Sequence, residues 1–116
     1  MNRLQYLLTM LSEEADEIGK LCAKSQRFGL NSVNPETGLP NHLAMHLELN
    51  DLMAIVGQLN KEFNLGFVED ENLKEAKIKK MAKYEEFSIQ EGFLDNGPVP
   101  SHMYPSVMPE RARKGE

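Results

Sequence analysis

The chain has 116 residues, 41% apolar and 27% charged, which suits one ordinary globular domain and leaves no room for a second independent core. That apolar content excludes a wholly disordered chain, and eight glycines are far too few for collagen. Thirteen lysines and arginines against eighteen acids give a net charge of -5, so binding to a nucleic acid polymer through its phosphates is not expected.

The opening MNRLQYLLTMLSEEADE lacks the uninterrupted apolar core and cleavage site of a leader, so a cytoplasmic location is expected. No apolar run approaches the roughly 18 residues of a membrane span, and no membrane partner is expected. From Arg3 to about Arg27, Leu4, Leu7, Leu8, Leu11, Ala15, Ile18, Leu21 and Cys22 recur at spacings of three and four, which predicts an amphipathic helix. The lone Cys22 falls at an apolar position of that helix, so a buried thiol is expected.

Phe28 to Asn41, FGLNSVNPETGLPN, collects Gly, Pro, Asn, Ser and Thr and reads as a loop. A second helix is predicted after Pro40, capped by Asn41 and running to about Phe63. Its apolar residues surround most of the helix, which predicts burial on most sides, and Gly57 reads as a point of close helix packing. After the short connection Asn64 to Asp70, a third and more polar helix is predicted to about Phe87. Residues 1–91 thus read as a helical domain. Residues 92–116, with Pro98, Pro100, Pro105 and Pro109 among Phe93, Val99, Met103, Tyr104, Val107 and Met108, read as an extended arm lying on a groove. The final RARK is too short to be a nucleic-acid patch. Three helices cannot cover the apolar middle one, so the expected fold is all-α, a helical hairpin plus a third helix completing a four-helix bundle through oligomerisation.

Acids interrupt both apolar seams. Helix one runs Leu4, Leu7, Leu11, Glu14, Ile18, Leu21, and helix two runs Met45, Glu48, Leu52, Ile55, Leu59. At about 100° per residue Glu13, Glu14 and Glu17 share one side, and Asp51 lies about 60° round from Glu48. Unpaired buried carboxylates cost several kcal/mol and repel one another. Either they reach solvent or lysines, as most helical glutamates do, or a hard divalent cation with oxygen ligands lies among them. His42 and His46, at i and i+4, face away from these acids and read as solvent or interface residues rather than zinc ligands.

LSEEADEIGK followed by LELNDLMAIV resembles the MazG-like, all-α nucleoside triphosphate pyrophosphohydrolases, relatives of dimeric dUTPases and phosphoribosyl-ATP pyrophosphohydrolases. The family signature is E-x-x-E followed on the next helix by E-x-x-D, matched here by Glu14 to Glu17 and Glu48 to Asp51, with Glu13 as a doubled acid. The similarity covers roughly residues 4 to 85. It implies hydrolysis of a (d)NTP or related nucleotide to monophosphate and pyrophosphate, in a homodimer or homotetramer. The resemblance further implies Mg2+ (or Mn2+) on Glu14, Glu17, Glu48 and Asp51, with Glu13 and Glu17 as the candidates for catalytic work on water. Basic residues after the second motif contact phosphates in the family; here Lys77, Lys80 and Lys83 are the candidates, with Lys24 and Arg27 as second choices. The competing expectation is a non-catalytic helical dimer, a binding module whose acids hold a structural cation.

Overall fold

A computed structural model describes residues 1–106 and makes each amphipathic segment a helix: α1 (Arg3–Phe28), α2 (Asn41–Phe63) and α3 (Glu71–Gln90). One 3-10 turn, Ser101–Met103, follows. The described chain is all-helical apart from an isolated antiparallel bridge between Val33 and Pro40. Val107, Met108, Pro109 and the RARK segment lie outside the described residues. Two compact units divide the described residues: Met1–Gly66 together with 100–106, and Phe67–Val99. No helix is long and apolar enough to cross a membrane among the described residues.

Local chemistry explains where the helices begin and end. Asn2 and Gln5 form a capping box, each side chain accepting from the other's backbone N–H at 2.9 Å, which satisfies two otherwise orphaned donors of α1. Gly29, at φ +92°, takes the chain out of α1, and Asn64, in the left-handed region, ends α2. Asp70 caps α3 by accepting from the Leu73 amide at 3.0 Å, and the helix runs one turn beyond its predicted end, to Gln90. The predicted Asn41 cap is corrected: Pro40 precedes the helix without a side-chain cap, and Asn41 is its first residue. Buried, Asn41 spends its amide on the Gly29 carbonyl at 3.0 Å and so ties the two ends of the loop together.

In the first unit α1 and α2 form an antiparallel hairpin. Asn41 meets Gly29 at the loop end, and at the open end Arg3 grips Glu62 through two bonds of 3.2 and 3.1 Å. Burial along α1 falls on Leu7, Met10, Leu11, Glu14, Ile18, Leu21 and Ser25, and along α2 on Asn41, His42, Ala44, Met45, Glu48, Leu52, Ile55, Val56, Leu59 and Asn60; these include the two seams read from the sequence except Leu4, which is exposed. Leu7 and Leu59 are the most buried apolar side chains among the described residues, 5% and 2% exposed. Within this chain α2 is therefore not buried on most sides: Leu43, Leu47, Leu49 and Met53 are exposed, because one partner helix covers only one stripe. For the same reason Cys22, one position off the seam at Leu21, is exposed rather than buried. Gly57 faces open space rather than another helix.

The Arg3–Glu62 pair leads to a pH-dependent expectation. The guanidinium, by hydrogen bond first and charge second, holds the Glu62 carboxyl below its ordinary range. A lowered carboxyl pKa adds stability that is present above the unfolded value and lost as pH falls through the folded one. Arg3→Ala is expected to lower the Tm slightly at neutral pH and low salt, the pair being half exposed. In acid, once Glu62 is protonated, thermal melts of the two proteins should coincide.

Candidate functional site

The antiparallel hairpin brings the seam acids face to face. Glu14 on α1 meets Glu48 and Asp51 on α2, and one carboxylate oxygen from each lies within 4.8 Å of the other two. Glu14 and Glu48 are half-buried because they occupy core positions, whereas Asp51, about 60° round the helix, is exposed. The Oε2 atom of Glu14 is shut off from solvent and has no hydrogen-bond partner. Deprotonated carboxylates can only accept, so three of them together supply no donor for that oxygen. The Glu14 carboxyl is accordingly pushed up from its ordinary range, first by the facing Glu48, with which it can share a proton, then by burial, and further by the charges of Glu48, Asp51 and Glu17.

The other two acids of the α1 set stand apart from this triad. Glu17 is exposed and pairs with Lys20 one turn on at 3.3 Å, though its charge still reaches Glu14. Glu13 is exposed and outside the three-residue group. His42 and His46 do not join the acids: their rings pack edge to face at 6.2 Å, and His42 Nδ1 lies 3.1 Å from the Leu30 carbonyl oxygen.

The basic candidates fall into two sets. In the first unit, Lys24 and Arg27 line a cleft of about 400 Å³ together with Phe28, Ser32, Asn34 and Asn41. Arg27 lies over the Phe28 ring at 5.4 Å, and Lys24 has no ion-pair partner among the described residues. Lys24 follows Glu17 by seven residues and Asn41 precedes Glu48 by seven, so each lies about 10 Å along its helix and only about 20° from the acid's own stripe. The cleft therefore lies about two turns from Glu48 along α2 and, through Lys24, nearly three turns from Glu14 along α1, toward the loop. In the second unit, Lys77 and Lys80 share a hollow of about 440 Å³ along α3 with Met81 and Tyr84, and Lys83 is exposed outside it.

Sequence reasoning missed the polar loop residues Ser32 and Asn34 and the structural use of Asn41; the length and polarity of FGLNSVNPETGLPN were the available signal. The chain matches no protein-family model, no curated protein and no solved structure.

Proposed function

We propose that this protein is a metal-dependent nucleotide pyrophosphohydrolase of the MazG-like kind, cleaving a (d)NTP or related nucleotide into a monophosphate and pyrophosphate. One observation carries the reading: three carboxylates from two helices converge on a half-buried point where a Glu14 oxygen has no partner. The donor set fits the metal. It is all oxygen and carries three formal negative charges, which suits a hard cation such as Mg2+, or Mn2+ in its place, better than zinc.

Glu14, Glu48 and Asp51 would hold the ion, with Glu17 joining if it leaves Lys20. When bound, such an ion neutralises charge on phosphate oxygens and acidifies a water at the scissile phosphorus. Glu13, exposed on the same side of α1, is the carboxylate available to accept a proton from the attacking water. In the first unit Lys24 and Arg27, roughly three and three and a half turns along α1 from Glu14, offer positive charge for a polyphosphate, while Lys77, Lys80 and Lys83 on α3 are candidates by the family resemblance alone. Apolar side chains left uncovered on α2 support assembly into a homodimer or homotetramer, in which helices of two copies complete a four-helix bundle. We propose a cytoplasmic location for this activity.

A second reading is a non-catalytic helical dimer whose acids bind a structural cation, and the same exposed apolar side chains of α2 favour it. Pyrophosphate release from a panel of NTPs and dNTPs, with and without Mg2+, separates the two. Turnover that requires the metal is expected; a folded protein that turns over none of them favours the binding module.

A further inference from the structure

The chain returns to the α1–α2 loop from a distance. Asn31 donates its side-chain amide to the carbonyls of His102, at 3.2 Å, and Tyr104, at 2.5 Å, across 71 and 73 residues of sequence. Between them the Leu30 amide donates to the Met103 carbonyl at 2.7 Å. Gly29 makes the approach possible: a Cβ on it would stand 3.0 Å from Met103 Cα, and its φ of +92° belongs to the region side chains avoid.

The far edge of the same loop segment is tied to the start of α2. His42 N donates to Leu30 O and Asn41 N to Ser32 O, both at 2.9 Å, while the Asn41 side chain holds Gly29 O. Three layers of backbone are thus laminated: 102–104, then 29–32, then 40–42. The middle and inner layers supply Ser32 and Asn41 to the wall of the Lys24–Arg27 cleft.

We propose that Pro100–Tyr104 is a clasp that fastens the α1–α2 loop and, through it, holds the wall of that cleft, so that release of the segment following α3 opens the cleft. Bonds to main-chain carbonyls make the attachment, and no fully buried apolar side chain adds to it, since Met103 is only half-buried and Tyr104 is exposed. An attachment of that kind opens locally, without unfolding the helices. The clasp concerns the cleft whatever its ligand and does not depend on the hydrolase reading.

Amide hydrogen exchange on the full chain tests it. In Asn31→Ala the Leu30 amide is expected to exchange about tenfold faster or more, and Asn41 and His42 several-fold faster, with Ile55 and Val56 in α2 unchanged. Gly29→Ala, which crowds Met103 instead of deleting a donor, should give the same pattern. An unchanged Leu30 in both variants overturns the clasp. Acceleration at Leu30 with Asn41 and His42 unmoved overturns its hold on the cleft wall, and equal acceleration throughout α2 overturns the local opening.

Discussion

Glu48→Gln is expected to lower metal-dependent pyrophosphate release by about 10²–10³-fold or more, equivalent to roughly 3–4 kcal/mol of transition-state stabilisation, in a protein that still folds. Glu48 is the acid whose removal reaches furthest, because it faces Glu14 across the seam and completes the three-oxygen set with Asp51. Glutamine keeps the side chain's size and removes its charge, so the site loses one of the charges that hold a cation while the helix packing is preserved. The new amide also places a donor opposite the Glu14 oxygen that has none. Loss of activity should therefore come with an unchanged or higher Tm in the absence of metal, since repulsion has been relieved. A variant that simply unfolds the hairpin would move both quantities down together. Retention of more than half the activity would place the chemistry elsewhere.

Glu13→Gln makes the useful contrast. Glu13 lies outside the converging triad, so on the proposed reading its loss would remove a proton acceptor without removing a ligand. Its expected signature is a reduced kcat with the metal requirement unchanged, whereas Glu48→Gln is expected to weaken metal binding together with activity.

The helices and the placement of Glu14 and Glu48 were legible in the sequence because both rest on periodicity. A seam of apolar residues every three or four positions states which side of a helix is covered, and an acid on that seam must be covered too. Periodicity is silent on how much covering there is. Leu21 and Cys22 are neighbours in an apolar run, yet one is half-buried and the other exposed, because a hairpin of two helices shields only a narrow stripe. The separation of Glu17 from the triad was equally invisible: a lysine three residues on competes for it, and the helix geometry that groups Glu17 with Glu14 brings Lys20 to Glu17 as well. The residue type and position of Asn41 predict a cap. Its amide instead serves a carbonyl twelve residues back, a choice fixed by the loop closing on itself rather than by local propensity. The return of 102–104 to Gly29–Asn31 is the least legible feature, since main-chain carbonyls accept its bonds and acceptors carry no sequence signature.

Mg2+ or Mn2+ is expected to raise the Tm, and to do so more strongly as pH rises from the acid range toward neutrality. Glu14's carboxyl is held above its ordinary range, so the folded state binds a proton there more tightly than the unfolded chain does. The stabilisation that proton provides is fully present below the unfolded pKa and is lost as pH rises through the folded one. Proton and cation thus answer the same crowding of Glu14, Glu48 and Asp51 and compete for it, the proton in acid and the metal above. A cation that binds only the folded state adds RT ln(1 + [L]/Kd), about 2.7 kcal/mol at a hundred times Kd, which for a domain near 100 residues is a shift of roughly 10 °C or more. Thermal melts at several pH values, with and without metal, measure this directly, and calorimetry in two buffers of different ionisation enthalpy should show proton release on binding near the pH where Glu14 titrates. The Glu48→Gln protein should lose most of the metal-dependent shift at every pH. A wild-type Tm indifferent to both cations would mean that water and the shared proton alone reconcile three carboxylates on these two seams, and the hydrolase would then have no metal to work with.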